Sequence, residues 1–329
     1  MATIYDVADS AGVSIKTVSR VINGIRVKES TRAKVLEAMS RLDYEPSMYA
    51  RGMAGQRTWT IGVYRCSTDF FSQDLAFYTR ILSGFEQQLA GSGYRLLLDS
   101  ALWRKQKSGV SALAKQVDGI LMFDAPNEEE RADLLKLVDK VPVVTIGKRR
   151  IGEDATYSTG VDNQASIRLA VKHLHSIGHR RIGIIVEGER DEHYQDRLTG
   201  YHQALEELGI TYVHQQIISA GPQQLAQLQR WLEADDRPTA VVVSEERTAI
   251  GLLQTARRLG IAVPGELALI TYEDSYFSDM LDPPLTVLRR DDAASGREAA
   301  DMLLSLIRGE TVKPRVRLKP ADLIIRKSC

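Results

Sequence analysis

The sequence predicts a small all-α helix-turn-helix headpiece followed by a larger α/β body built in two halves. Three observations predict it. Residues 3–23, TIYDVADSAGVSIKTVSRVIN, hold two short amphipathic segments around a glycine. From Trp59 onward, short β-rich runs alternate with helical stretches, as in parallel sheets covered on both faces. These units are too many for one comfortable sheet, and the loop around Arg149–Ser158 divides them.

In the first helix Ile4, Val7, Ala8 and Ala11 fall at helical spacing, and in the second Val18, Val21 and Ile22 do. Thr3 can cap the first, with Asp6 three residues on; Gly12 ends it, and Ser14 is placed to cap the next. An ordinary helical hairpin has the same pattern. The surface of the second helix favours DNA: Ile15, Lys16, Thr17, Ser19, Arg20 and Asn23 suit base edges and phosphates, and no acidic residue lies between Ala11 and Ile25. Arg26 and Lys28 follow in a loop free to approach phosphates. Ser30 or Thr31 then starts a third helix, whose Val35, Ala38, Met39 and Leu42 share a face. Pro46 interrupts any helix after Tyr44. In SMYARGMAGQRT, residues 47–58, Gly52 and Gly55 each cost about 1 kcal/mol relative to Ala in a helix. By composition alone this is a flexible linker.

In the body, WTIGVYR, YRLLLD, GILMF, VPVVTIG, RIGIIV, TAVVVS, LALITY and LTVLR read as strands. Helical stretches at 75–92, 105–116, 127–139, 163–177, 194–208, 222–234, 247–259 and 292–308 separate them. Two such halves place a ligand cleft at the carboxyl ends of their strands.

Composition narrows the function classes. The 329 residues are 43% hydrophobic and 26% charged, with formal net charge zero. Residues 1–58 nevertheless hold nine Lys/Arg against six Asp/Glu, and the remainder holds 34 against 37. A modestly basic head on a mildly acidic body fits a DNA reader with a separate sensor. Cys66 and Cys329 give neither a CxxC nor a metal spacing. His173, His175 and His179 do not share one helix face, so no metal site and no cofactor are expected. No apolar run spans a bilayer and MATIYDVAD has no signal core, which predicts a cytoplasmic protein without a membrane partner. Walker loop, GxGxxG after a strand, GxSxG and HExxH are all missing, so an enzyme is not expected.

DVADSAGVSIKTVSRVIN, followed by STRAKVLEAMSRLDYEPSMYARGMAG, resembles the headpiece and hinge of the lactose-repressor/galactose-repressor (LacI/GalR) family of bacterial transcription regulators. TIGV, VDGIL, VDNQAS, HLHSIGHRRIGII, RLTGYHQAL, LGIAVPGELALITYED and PPLTVLR continue the similarity in order. The resemblance implies a body of two Rossmann-like subdomains of the periplasmic-binding-protein type. It implies a headpiece at 1–46, a hinge at 47–58 and an effector-binding and dimerisation domain at 59–329. The first subdomain would take about 59–160 and 291–320, the second about 161–290 and 321–329, with three chain crossings. DNA contacts would come from Thr3, Ser14, Ile15, Lys16, Thr17, Ser19, Arg20, Asn23, Arg26 and Tyr44. In the hinge, Met53 stands where the family usually has a minor-groove leucine wedge, beside Ala54.

For the effector, the resemblance points to Phe70, Phe71, His193, Arg197, Glu245 and Glu273. Glu245-Glu246 replaces the family's usual Asn-Asp, and Glu273 its usual Asp. One of Phe70 and Phe71 could equally pack in the core. Arginine, carboxylates and an aromatic wall suit a sugar; the extra glutamate equally suits an amino sugar or another cation-bearing ligand. The function expected is a ligand-responsive regulator, a repressor binding a near-palindromic operator as a homodimer, with the helix Leu75–Gly91 a candidate for the dimer contact. A non-sugar effector or a co-repressor is the alternative, and a solute-binding protein shares only the body.

Overall fold

The computed structural model describes residues 2–22, 25–44, 57–65, 75–100, 113–123, 128–138, 140–147, 157–187, 192–211, 214–218 and 223–329. Asn23, hinge residues 47–56 with Met53 and Ala54, and Phe70 and Phe71 lie outside the described residues.

The headpiece is three helices, α1 (Ile4–Ala11), α2 (Ile15–Ile22) and α3 (Glu29–Arg41). Local chemistry sets each boundary. The Thr3 backbone N–H and hydroxyl donate to the Asp6 carboxylate at 2.7 and 2.8 Å, and the Asp6 N–H donates back to the Thr3 hydroxyl at 3.4 Å. These bonds hold the Asp6 carboxyl below the usual carboxylate range. Gly12 leaves α1 in the left-handed conformation at φ 65°. The Thr17 N–H donates to the Ser14 hydroxyl at 3.2 Å, capping α2. α3 begins at Glu29, ahead of the expected Ser30 or Thr31, and Lys28 before it makes no side-chain cap. A glutamate in the first turn is itself favourable at the positive end of the helix dipole. Val7, Ala8, Val18, Val21, Val35 and Ala38 form the buried centre.

Among the described residues the body holds two six-stranded sheets. The first contains β1 (Thr60–Arg65), β2 (Arg95–Ser100), β3 (Gly119–Phe123), β4 (Val143–Ile146), β5 (Tyr157–Val161) and β11 (Val316–Lys319), in the order β2-β1-β3-β4-β5-β11. Every pairing in it is parallel. The second contains β6 (Ile182–Glu187), β7 (His214–Ile218), β8 (Ala240–Val243), β9 (Ala268–Tyr272), β10 (Thr286–Arg289) and β12 (Asp322–Ile324), in the order β7-β6-β8-β9-β10-β12. Only β12, beside β10, runs antiparallel. The chain passes from one sheet to the other after β5, after β10 and after β11. β5 and β7 were not among the runs that alternation picks out.

Helices α4 (Leu75–Leu89), α5 (Glu128–Leu135), α6 (Asn163–Ser176), α7 (Glu192–Glu207), α8 (Gln224–Leu232), α9 (Glu246–Arg258) and α10 (Asp292–Ile307) complete the described body. Strand interiors such as Ile61, Leu121 and Val144 in one lobe, and Ile184, Val242 and Ile270 in the other, are fully buried. α4 and α10 touch backbone to backbone. A Cβ on Gly84 would lie 2.0 Å from the Ala293 carbonyl oxygen, and one on Gly296 2.0 Å from that of Ile81.

The body begins at a clamp. Asp118, just before β3, accepts the Thr58 N–H at 2.7 Å, the Thr58 hydroxyl at 2.9 Å and the Trp59 N–H at 2.9 Å. The Trp59 ring rests on Tyr94 with centroids 5.2 Å apart. The chain entering the body at Thr58 and Trp59 is thus tied to the first lobe.

Candidate functional site

On the headpiece, packing of Val18 and Val21 inward turns the opposite face of α2 to solvent. Ile15, Lys16 and Arg20 stand exposed on it, with Ser19 half-buried. Ile15 keeps 40% of its surface open although it is apolar, which suits contact with a thymine methyl. The Arg20 guanidinium donates to the Arg26 carbonyl at 3.1 Å, so one of its donors is taken up by the loop that follows α2. Besides Ser14, which caps α2, two further DNA candidates have structural work. The Thr3 hydroxyl serves the cap of α1, and Tyr44 packs half-buried against the headpiece core.

In the body, the candidate effector residues follow the carboxyl ends of strands, where parallel sheets leave unpaired backbone and loops free to vary. Arg197 on α7 is 8% exposed; its guanidinium lies 4.6 Å over the Tyr272 ring and its Nη1 is 3.4 Å from the Glu245 carboxylate. The Arg197 Nε is buried without a hydrogen-bond partner. His193, one turn earlier, shares a 3.0 Å hydrogen bond through Nδ1 with Asn163 Nδ2, while Asn163 Oδ1 is buried and unpartnered. With the amide in this orientation the imidazole accepts, which places its proton on Nε2. The same imidazole crosses to the first lobe. A Cβ on Gly147, at φ 83° just past β4, would lie 2.6 Å from it.

Glu273, immediately past β9, has φ 135° and a carboxylate shared by Arg80 of α4 at 3.4 Å and Arg290 at 3.5 Å. Both arginines also hold Asp292, at 2.9 and 3.3 Å. Arg290 lies 4.7 Å over Phe77 and 5.9 Å from the Tyr272 centroid, so two guanidinium groups stand within 6 Å of the Tyr272 ring. Burial pushes the Tyr272 phenol up, and it remains protonated as a donor. Glu246 differs from its neighbour: it is buried and accepts the Ser278 hydroxyl, which ties down the loop after β9.

Arg197, Glu245 and His193 therefore gather with Asn163 and Tyr272, and Glu273 sits beyond Tyr272 with the arginine pair. Tyr272, Asn163, Arg80, Arg290 and Phe77 escaped the sequence reading. Position could have found several of them, since Asn163 and Arg290 each stand within two residues of a strand's carboxyl end. Among the described residues no group of three or more His, Cys, Asp or Glu could hold a metal, and no helix is long and apolar enough to cross a membrane.

A helix-turn-helix headpiece on a two-lobed α/β body of this topology is the build of a DNA-binding transcription regulator. The chain belongs to the lacI family of bacterial regulatory proteins, whose profile matches residues 3–47, while that of the periplasmic binding protein-like domain matches 171–329. It is 31% identical over its full length to the HTH-type transcriptional repressor PurR of Photobacterium profundum, covering 98% of that protein. It is 32% identical to catabolite control protein A of Priestia megaterium, over 99% of this chain and 98% of that one. The lac repressor dimer bound to operator and the anti-inducer ONPF superposes with a TM-score of 0.81 at 26% identity, over 99% of this chain and 98% of the other. A complex of the regulator CelR with cellobiose gives 0.71 at 29% identity over both whole chains. The chain is thus a DNA-binding transcriptional repressor of this family.

Proposed function

We propose that this repressor is released from, or held on, a near-palindromic operator by a polyhydroxylated small molecule bound between its lobes, and that it works as a homodimer. One observation carries the cleft assignment: Arg197 Nε and Asn163 Oδ1, on the neighbouring helices α7 and α6, are buried polar atoms without partners. Buried polar atoms are almost always satisfied, and an orphan donor and an orphan acceptor in one polar cluster are what the hydroxyls of a ligand would complete. The cellobiose complex of a 29%-identical regulator supports a sugar. The headpiece would be 1–46, the hinge 47–58 and the sensor 59–329.

Coupling follows from the Asp118 clamp. A ligand touching both lobes favours one orientation of them, and the clamp passes that orientation to the root of the hinge. In this reading residues 47–58 form a short helix only where two copies meet on the DNA; so short a glycine-containing helix is not stable alone, so separating the pair melts both, and about 1–3 kcal/mol of differential ligand affinity suffices for regulation. In this reading Met53 is the apolar wedge in the minor groove.

The test has two stages. Selection from random DNA defines the site bound by the full chain, and a thermal-shift screen of sugars and nucleobases finds the effector. Arg197→Ala should then abolish the thermal shift and the effect of the hit on DNA binding while leaving ligand-free DNA affinity unchanged. A variant that still responds at the wild-type concentration removes Arg197 from the site. A hit confined to nucleobases replaces the sugar reading with a purine one.

A further inference from the structure

Four charged side chains at the junction of the lobes form a chain of alternating sign. Asp292, at the start of α10 in the first lobe, is engaged through Nε of both Arg80 and Arg290, at 2.9 and 3.3 Å. This leaves Nη2 of each arginine for one further carboxylate, Glu273 of the second lobe, at 3.4 and 3.5 Å. Arg80 belongs to α4 and is anchored to its own lobe by Asp292; its bond to Glu273 is the one that crosses. Arg290 stands on the crossing segment itself, between β10 and α10, with its guanidinium carbon 4.7 Å over the Phe77 ring of α4.

Glu273 is held as a rigid post. Its backbone N–H donates to the Leu288 carbonyl at 3.1 Å, and its φ of 135° is one that non-glycine residues rarely adopt. The next residue, Asp274, faces its own lobe and is gripped through both oxygens by the Arg326 guanidinium at 2.9 and 3.1 Å. Glu273 therefore cannot drift with the first lobe when the lobes move. Its bonds are nevertheless long for charge-assisted hydrogen bonds, which run at about 2.7–2.9 Å. A rigidly mounted, weakly closed ion pair is suited to opening without unfolding anything around it.

We propose that the Arg80–Glu273 ion pair is a latch that holds the two lobes in their effector-free orientation. Its regulatory use rests on the cleft reading above: an effector hydroxyl that takes the Glu273 carboxylate releases Arg80, so binding at Arg197 and opening of the latch compete for adjoining residues. The latch itself does not depend on what the protein binds.

The test therefore uses ligand-free, DNA-free full-length protein. Cys66 and Cys329 are replaced by serine, and spin labels are attached at Leu135→Cys in the first lobe and Ile177→Cys in the second, both exposed positions. Pulsed dipolar spectroscopy reads the lobe-to-lobe distance distribution. Arg80→Gln and Glu273→Gln should each shift the distribution to longer separations and broaden it. The double variant should go no further than Glu273→Gln alone, because the Arg80–Glu273 bond is already lost in that variant. Arg289→Gln, at an exposed arginine 4.0 Å from Asp274 and outside the crossing pair, should leave the distribution as in the parent. An unchanged distribution in folded Arg80→Gln overturns the latch, as do shifts that add in the double variant. Should Glu273→Gln not fold, Arg80→Gln decides alone, since that side chain lies at the rim and is 36% exposed. Absence of any selected DNA site would sink the proposed function and leave this distance measurement standing.

Discussion

Replacing Asp118 by alanine tests whether the hinge is fastened to the sensor where the structure fastens it. The carboxylate accepts three bonds of 2.7–2.9 Å from Thr58 and Trp59, and alanine leaves all three donors to find water. The groups are only partly buried and water can replace the carboxylate, so the loss per bond is that of an ordinary hydrogen bond rather than of a charge-assisted one. At about 1 kcal/mol each, the total is about 3 kcal/mol, or roughly 6–10 °C in the melting of a body of this size. Asparagine should recover about half. Its oxygen can serve one donor pair, while its NH2 faces the remaining N–H and cannot accept. The melt can be followed by fluorescence of Trp59, whose ring sits on Tyr94, with the signals of the other two tryptophans removed by substitution. A functional consequence follows. Freed Thr58 and Trp59 must be refixed in the operator complex at about 1 kcal/mol or more per residue, so affinity for the selected DNA site should fall at least about tenfold. Lys16 and the rest of α2 would meanwhile be untouched. Wild-type stability in Asp118→Ala would refute the clamp; lost stability with full operator affinity would keep the clamp and remove it from the coupling.

Lys16→Ala should change base preference at one position in each half-site, at a cost of about 1–3 kcal/mol, whereas Arg32→Ala should weaken all sequences alike if it meets only phosphate; repeating the DNA selection with each variant distinguishes the two. Gly296→Ala places a methyl carbon 2.0 Å from the Ile81 carbonyl oxygen, so α4 and α10 must separate; the loss should reach or exceed about 3 kcal/mol in urea unfolding. Burial lowers the pKa of His173 and of His179 below 6.5. The unfolded chain then binds more protons between the folded and unfolded values, so their contribution is intact above about pH 6.5 and is lost as pH falls through that window. Replacing both by glutamine should flatten the melting temperature across it.

Sequence by itself determined the headpiece and the architecture of the body. Thr3 with Asp6, Gly12 and Ser14 act within a few residues of themselves, and the spacing of Val7, Val18 and Val35 needs only the helical period to be read. Hydrophobic runs such as GILMF and LALITY are buried on both faces and announce parallel strands wherever they occur. Tertiary structure decided the rest. β5, with Ser158, Thr159 and Gly160 at its centre, and β7, with Gln215 and Gln216, carry weak strand signals and exist because β4 and β6 offer them edges. The candidate site divides in the same way. Arg197, His193, Glu245 and Glu273 could be named one by one, but not what each touches. Arg80 meets Glu273 across 193 residues and Asp118 meets Thr58 across 60. A charge in a sequence has no preferred partner until folding brings one within reach, because Coulomb attraction in water is too weak and too screened at long separation to specify a pair. The fold's packing places the charges; only then do short distance and partial burial make particular pairs worth having.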